Sequence, residues 1–286
     1  QKEIYYKITE DIQKKYIDLT EDKLDKGLNY QLLEAPLQIL NITYPNEDSD
    51  DIKDTYGKNG LENVVKFKRN HEDFEYASDY SGFFKIDNIG NYSSKIKSVC
   101  ENILLSEGIV LVYSQYIDGG LVPMALALEE LGFTRYGRSN LFKNATTEPI
   151  DSLTMLPKSK VPSDKFKNAR YSIISGDVGL SPNNIKEIKK LTNLDNKDGS
   201  DIKVVLISRA GSEGIDLKNV RQIHIIDPWY NMNRIEQIIG RGVRTCSHKD
   251  MPFIKRNVMI FLYATYIDNK FETLDLYLYR LSEIKA

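Results

Sequence analysis

The sequence predicts an α/β fold in which a parallel β-sheet carries helices on both faces. Between residues 94 and 286, apolar runs typical of buried strands alternate with segments whose apolar residues have helical spacing. Several of these runs end in Ser, Gly or Asp, as expected where strands reach the ligand-binding edge of an open sheet. Residues 1–93 lack this alternation and predict a mostly helical and irregular segment before the sheet.

The first segment contains three kinds of pattern. Residues 4–26 have the spacing of a charged helix, and an apolar run from Leu37 to Pro45 follows. The acidic cluster over 46–54 comes directly after a proline, which indicates a solvated loop. Residues 55–95 show no clear periodicity, and we expect irregular structure with short helices there.

From residue 94 onward the predicted elements alternate between helix and strand. They are a helix over 95–105, strands over 108–114 and 171–177, helices over 122–131 and 181–191, and, further on, a strand over 257–265 and a helix from 271. Ser181 stands at the start of its helix, where a serine is a favoured N-cap.

Residues 138–170 interrupt the alternation with a basic insert. Its seven Lys and Arg residues outnumber three acidic ones, and its Pro, Asn and Thr residues offer little to bury. We therefore expect a mobile loop. Its charge suits a phosphate-binding track and equally a solvated surface loop.

Another buried strand, over 204–207, leads into a loop rich in glycine. Ser208 follows the strand, and glycines at 211 and 214 free backbone N–H groups that can face a phosphate. A second apolar run over 223–226 ends in the segment DPWYN at 227–231. Its tryptophan either stacks on a base or packs beneath the next helix, and packing is the favoured interpretation.

The next helix carries a polar stripe with two arginines. Gln237, Gly240, Arg241 and Arg244 stand at i, i+3, i+4 and i+7, which places them within an arc of about 100° on an α-helix. Gly240 costs a helix interior about 1 kcal/mol relative to alanine, so its presence suggests that another group approaches the backbone. Two guanidiniums beside a glutamine suit the stabilisation of a transferring phosphate. A bare pair of arginines is more often a solvated face.

Composition excludes several classes of protein. The chain of 286 residues allows one large domain or two smaller ones, and it contains no apolar run long enough to predict a membrane span. Cys100 and Cys246 have no CxxC partner, so we expect neither disulfides nor a metal site, and a reducing intracellular compartment is the default. The net charge of −2 argues against a generally basic nucleic-acid binder. Residue 1 is Gln rather than Met, and we expect a fragment of a longer protein.

Three segments, taken together, resemble a known family. They are SRAGSEGIDL at 208–217, DPWYN at 227–231 and QIIGRGVR at 237–244. In this order they resemble motifs V and VI in the second motor lobe of superfamily-2 helicases and translocases. The likeness is greatest to the Swi/Snf-type branch and to helicases of large DNA viruses, including the small subunit of the poxvirus early transcription factor. The resemblance implies a RecA-like lobe for residues 94–286, and for residues 1–93 the end of a first lobe with an inter-lobe segment.

The resemblance also implies roles for nine residues. Those matched to catalysis are Gln237, which orients the attacking water, and Arg241 and Arg244, which reach the γ-phosphate of ATP. Those matched to nucleotide contact are Gly214, Asp216 and Gly240, with the carboxylate suited to the ribose hydroxyls. Those matched to the nucleic-acid backbone are Ser114, Gly176 and Ser208. Such backbone contacts position a strand without reading its sequence, although a serine after a strand is at least as often a helix cap.

Two motifs of such a motor do not occur in the sequence. These are the phosphate loop GxxxxGK[ST] and an acidic box after a strand, and both belong to the first lobe. We therefore predict the C-terminal motor lobe of an ATP-dependent DNA translocase or helicase, inactive alone, with ATP and Mg²⁺ held mainly by the first lobe. The predicted partners are that lobe and nucleic acid, in this scheme double-stranded DNA. Links to the transcription machinery and to a viral factory or virion follow from the resemblance alone.

Other functions stay open at this point. An RNA helicase of the same superfamily fits the motifs nearly as well. A catalytically silent interaction or packaging module is also compatible, although the intact QxxGRxxR pattern argues against loss of activity. A nucleotide-binding regulatory domain is disfavoured by the missing phosphate loop.

Overall fold

The computed structural model describes residues 2–17, 33–46, 51–212, 214–267 and 272–285. The helices are α1 (Lys2–Ile17), α2 (Glu34–Asn41), α3 (Gly57–Val64), α4 (Ile86–Ile89), α5 (Ser94–Leu104), α6 (Val122–Glu130), α7 (Asn184–Leu191), α8 (Met232–Gly242) and α9 (Leu274–Lys285). The strands are β1 (Val65–Lys68), β2 (Glu72–Tyr76), β3 (Ile109–Tyr113), β4 (Thr134–Arg135), β5 (Arg170–Ile174), β6 (Val204–Ile207), β7 (Val220–Ile225) and β8 (Met259–Leu262). The predicted continuation of the first helix over 18–26 lies outside the described residues.

Strands β3 to β8 form one sheet with the order β4-β5-β6-β3-β7-β8. Each neighbouring pair is parallel. The carboxyl ends of the strands therefore meet at one edge of the sheet, as the sequence predicts.

Helices cover both faces of this sheet because side chains along each strand alternate between two apolar clusters. In β3, Val110 and Val112 face the cluster that contains α5 and α6. Ile109 and Leu111 face the other cluster, to which α7 and α8 contribute. The predicted parallel sheet with helices on both faces is confirmed.

The segment before residue 94 is more closely joined to the sheet than predicted. Ile42, Tyr44, Leu61 and Phe84 are fully buried in the same cluster as α5, α6 and one face of β3. A boundary at residue 93 therefore does not separate two hydrophobic cores.

The segment also contains an antiparallel hairpin, β1–β2, where irregular structure is predicted. That prediction is wrong for residues 65–76. The hairpin is supported from outside, because the Phe74 N–H donates to the Leu141 carbonyl at 2.8 Å and the Lys143 N–H donates to the Phe74 carbonyl at 3.1 Å.

The basic insert over 138–170 contains no helix pair. Contrary to the prediction, it contains apolar residues that are buried. Leu141, Phe142 and Ile150 are buried. Asp151 fixes the middle of the insert, since its Oδ1 accepts from the Lys167 N–H at 2.8 Å and its Oδ2 accepts from nearby backbone and hydroxyl donors. These anchors tie the insert to the hairpin and to itself, and its mobility stays a prediction.

One helix start also differs from its prediction. Helix α7 begins at Asn184, and Ser181 is not its cap. The Ser181 hydroxyl instead lies 2.9 Å from the Ser175 hydroxyl and is buried.

Candidate functional site

Helix α8 begins beyond the carboxyl end of β7 and runs back along the sheet, so its last residue, Gly242, lies against Val220 at the amino end of β7. Asn231 caps the start of the helix, because its Oδ1 accepts from the Asn233 N–H at 2.9 Å. Ile235 and Ile238 are buried against the sheet, and Gln237 is exposed on the outer face. The apolar side of the helix thus docks as the sequence predicts.

The helix ends two residues before Arg244. Its last residue is Gly242, and Val243 has extended backbone angles and an exposed side chain. The prediction of a helical stripe that includes Arg244 is therefore wrong. The Arg244 side chain folds back, however, because its Nε donates to the Gly240 carbonyl at 2.9 Å. Arg241 and Arg244 consequently remain at the same end of α8.

The loop after β6 is held between the sheet and this helix. The Ser208 hydroxyl accepts a hydrogen bond from the Gly211 N–H at 3.1 Å. A Cβ on Gly211 would collide with the Ile174 carbonyl, so only glycine fits this close approach. At the far end of the loop, the Leu217 N–H donates to the Arg241 carbonyl at 2.9 Å. The loop is therefore positioned by the same helix end that carries the arginines.

Between these two anchors the loop is open. Gly214 has a φ of +74°, and no described heavy atom comes within 4 Å of where its Cβ would stand. Asp216 Oδ1 lies 3.4 Å from Nη1 of Arg244, and both side chains are about half exposed. Such an exposed pair contributes at most about 1 kcal/mol. Arg244 can therefore exchange this carboxylate for another anion at little cost.

Gly240 is also open on its outer side. Among the described residues, nothing lies within 4 Å of the position that a Cβ would take. The group that the glycine was predicted to admit is therefore not supplied by the described part of this chain.

The carboxyl ends of β5 and β6 bring Gly176 and Ser208 close together. Gly176 is exposed, and a Cβ on it would stand only 2.7 Å from the Cβ of Ala210. The side chain of Ser208 is buried. Its hydroxyl oxygen accepts from the Gly211 N–H, and this bond does not use the hydroxyl proton. These two positions form a small polar surface at the predicted edge.

Ser114 is placed differently from its prediction. Its hydroxyl is fully buried and donates to Oδ2 of Asp227 at 2.8 Å. Its N–H donates to the Ile207 carbonyl at 3.2 Å. Neither group is available to a nucleic-acid backbone, and the predicted contact by Ser114 does not fit the structure.

Asp227 belongs to a buried polar network that joins α2, α5 and the ends of β3 and β7. It accepts from the Gln115 N–H at 2.6 Å and from the side-chain amide of Asn41. Nζ of Lys95 donates to Oδ1 of Asn41 at 3.0 Å and to the Ile226 carbonyl at 3.1 Å. Burial raises the pKa of Asp227, and the nearby charge of Lys95 opposes that rise.

The same lysine connects the network to the C-terminal helix. Nζ of Lys95 lies 3.0 Å from Oδ2 of Asp275, and the two side chains are 1% and 0% exposed. Asp275 also accepts from the Thr265 N–H at 2.7 Å and the Thr273 hydroxyl at 2.6 Å. The Lys95–Asp275 ion pair thus joins α9 to the first turn of α5. The Asn41–Asp227 contact of this network joins residues that are 186 positions apart in the sequence, so no local sequence pattern could reveal the network.

Trp229 is held between two guanidiniums, a feature that the motifs did not predict. Cζ of Arg234 lies 4.3 Å from its ring centroid and Cζ of Arg209 lies 5.4 Å from it, both within cation–π range. The ring also packs against the apolar cluster that contains α8. The structure is therefore compatible with packing of Trp229 beneath α8. In addition, Arg209 and Arg234 place positive charge beside its ring.

The structure gathers Arg241, Arg244, Gly214 and Asp216 around one end of α8. Positive charge and open backbone at this helix end fit the phosphate and ribose of a nucleotide. Within the described ranges, no cluster of three or more His, Cys, Asp or Glu could hold a metal ion. Arg241 and Arg244 therefore fit the cationic side of a nucleotide site.

Residues 94–246 match the sequence model of the helicase conserved C-terminal domain. This match covers more than half of the chain, and the chain belongs to this family. None of the helices in the described residues is long and apolar enough to cross a membrane.

Two viral proteins illustrate the relationship. The chain is 29% identical over 269 residues to a protein of Acanthamoeba polyphaga mimivirus named as an ATP-dependent RNA helicase, and the match covers 92% of this chain and 37% of that protein. It is 32% identical over 200 residues to a termination factor NPH-I homolog of African swine fever virus, covering 63% of this chain and 27% of that protein. The chain thus spans well under half the length of these two relatives.

A solved structure establishes the fold. The C-terminal part of the Fun30 ATPase domain matches with a TM-score of 0.51 and 15% identity, covering 98% of this chain and 84% of that chain. At this identity the likeness concerns the fold alone, and it confirms the predicted RecA-like arrangement.

Proposed function

We propose that this chain is the C-terminal motor lobe of an ATP-dependent DNA translocase or helicase. The observation that carries the proposal is the state of Arg244. It lies just beyond the end of α8, which packs on the first residue of β7, and its half-exposed side chain stands beside the Asp216 carboxylate and the Gly240 carbonyl. A guanidinium held this weakly can turn toward a phosphate presented from outside the lobe.

In the proposed mechanism, ATP lies between this lobe and a first lobe that holds its phosphates and Mg²⁺. Arg244 and Arg241 then face the γ-phosphate. Their planar donors stabilise the negative charge that develops on its oxygens during transfer. Gln237, exposed on the same helix, orients the attacking water.

The open loop provides the nucleotide contacts in this mechanism. When Arg244 turns to the phosphate, the Asp216 carboxylate is released to accept hydrogen bonds from the ribose hydroxyls. Gly214 and Gly240 let the nucleotide approach the backbone, since no described atom crowds either position.

The nucleic-acid backbone is proposed to follow the ends of β5 and β6. Gly176 offers an exposed backbone and Ser208 an unused hydroxyl proton, and both groups suit sequence-independent phosphate contacts. Ser114 has a positioning role instead, because it holds Asp227 and so joins the ends of β3 and β7.

Duplex DNA should stimulate the ATPase activity of the intact protein more than duplex RNA of the same sequence. The reason is the DPWYN segment at 227–231, which resembles DNA translocases more than RNA helicases. The measurement is the steady-state ATPase rate as a function of nucleic-acid concentration. Stronger stimulation by RNA would favour the RNA helicase interpretation, in keeping with the name of the mimivirus relative.

A role in viral transcription, within the viral factory or virion, is the pathway we propose. It is supported by the relative named as a termination factor homolog. The transcription machinery is the corresponding proposed partner, in addition to nucleic acid and the first lobe.

The 286-residue chain alone should bind ATP weakly and should not hydrolyse it. The phosphate loop and the acidic box that would hold the phosphates and Mg²⁺ do not occur in its sequence. The measurement is phosphate release by the purified chain with and without DNA. Hydrolysis that DNA stimulates and that Arg244→Ala removes would show that this lobe contains a complete active site.

A further inference from the structure

A cavity lies at the amino-terminal edge of the sheet, where β3, β6 and β7 begin. Its volume is about 460 Å³, which is within the range of small-molecule sites. The charged residues that line it are Lys197, Lys203, Arg221, Lys255, Glu107 and Asp198. At about 3.3 Å per residue, strands of this length separate it from the carboxyl edge by roughly 13–20 Å.

Arg221 is fixed in the wall of this cavity. Its stem lies over Gly108, where a Cβ would stand only 2.6 Å from Cγ of Arg221 and where φ is +72°. Nη2 donates to Oδ1 of Asn257 at 3.0 Å. Nε and Nη1 are buried and have no hydrogen-bond acceptor among the described residues. Two unsatisfied N–H groups inside a protein are unfavourable, so an anion that accepts from them would stabilise the guanidinium.

Lys203 lines the same cavity and is almost completely buried. Its Nζ donates to the Ser106 carbonyl at 2.9 Å, which uses one of its three N–H groups. Burial lowers the pKa of Lys203 to about 8, so the ammonium remains mostly charged at neutral pH. A buried lysine and a partly buried arginine therefore line one cavity.

Two carboxylates, Asp198 and Glu107, partly balance these cations, and Glu107 is held loosely. Oε2 of Glu107 lies 3.1 Å from Nζ of Lys255, and about half or more of each side chain is exposed. The bond from Lys255 lowers the pKa of Glu107, and the charges of Arg221 and Lys203 add to this effect. Because the pair is exposed, its opening costs little free energy. A ligand with more negative charge can then replace Glu107.

We propose that this cavity binds a small phosphorylated ligand whose phosphate lies between Arg221 and Lys203. A phosphate offers several oxygens at once, which suits a guanidinium fork and an ammonium together. The apolar or ring part of the ligand rests on Leu153, Met251 and Pro252, which complete the lining. The site does not rest on the proposed motor function, since none of the residues that line it is among those assigned to ATP or to the nucleic-acid backbone.

The test is calorimetric titration of the 286-residue chain with AMP and with inorganic phosphate at neutral pH. AMP should bind more tightly than phosphate, because the apolar wall contacts its base and ribose. Arg221→Met and Lys203→Met should each weaken AMP binding at least tenfold. Lys58→Met, which removes an exposed lysine from α3, should leave the affinity unchanged.

Two further variants separate this site from simpler explanations. Glu107→Gln should tighten AMP binding severalfold, because it removes a carboxylate that competes with the phosphate. If Arg221 only stabilised the fold and did not bind the phosphate, this substitution would not increase the affinity for AMP. Arg244→Ala should not change AMP affinity, whereas an equal loss in Arg244→Ala and Arg221→Met would place AMP at the end of α8 and overturn the proposal. Unchanged affinity in both Arg221→Met and Lys203→Met, with circular dichroism showing folded protein, would overturn it as well.

Discussion

In the intact protein, Arg244→Ala should lower the rate of ATP hydrolysis by about 10³–10⁵ and leave ATP affinity nearly unchanged. In the proposed mechanism, the side chain acts on charge that develops only as the γ-phosphate leaves, whereas a first lobe supplies most contacts to bound ATP. Arg241→Ala should have an effect of the same kind. The measurement is single-turnover hydrolysis at saturating ATP, with a separate titration of nucleotide binding.

Two variants sharpen this experiment. Arg280→Ala is the matched control, because Arg280 also forms an exposed pair with a carboxylate, Glu272, but lies on α9. It should hydrolyse ATP at the normal rate. Arg244→Lys should remain strongly impaired, since an ammonium keeps the charge but loses the planar fork. Near-normal turnover in Arg244→Ala would make the catalytically silent module the better interpretation.

Lys95→Met should lower the free energy of unfolding by about 3–5 kcal/mol. The substitution leaves the Asp275 carboxylate and the polar groups around Asn41 buried without their cation. The measurement is urea unfolding of the chain, followed by circular dichroism. Lys58→Met is the control, because its ion pair with Glu62 is exposed, and it should cost less than about 1 kcal/mol.

The double variant Lys95→Met/Asp275→Asn identifies the origin of that loss. If the uncompensated carboxylate dominates, the double variant should be more stable than Lys95→Met alone, because the asparagine carries no charge. Equal stability of the two variants would instead assign the loss to the contacts of Lys95 with Asn41 and Ile226.

The sequence predicted the sheet well because its central strands are buried on both faces. Such strands consist of continuous apolar runs, as in 109–113 and 204–207. The hairpin over 65–76 gave no such signal, since its short strands alternate with charged residues and depend on Leu141 and Lys143 for support. Support from a distant segment leaves no trace in local periodicity.

The sequence could predict those site residues that lie in recognisable motifs, but not the distant partners that decide how a side chain is used. Asp216 and Arg244 belong to two recognisable motifs that follow each other along the chain, and the structure pairs them. Ser114 has the right chemistry for a phosphate contact, but its partner Asp227 is 113 residues away. The end of α8 at Gly242 was also missed, because apolar spacing continued through Val243 while the backbone became extended.

The apolar cluster that residues 34–93 share with α5, α6 and β3 determines where the chain can be truncated without loss of its core. The family match begins at residue 94, yet Ile42, Tyr44 and Leu61 fill the cluster beneath α5 and α6. Each such side chain contributes about 1.5–3 kcal/mol when buried, so a truncation at residue 94 would expose a large apolar surface and favour aggregation. Chimeric motors or crystallisation targets built from this lobe should therefore keep residues 34–93, and a fusion junction belongs upstream of α2.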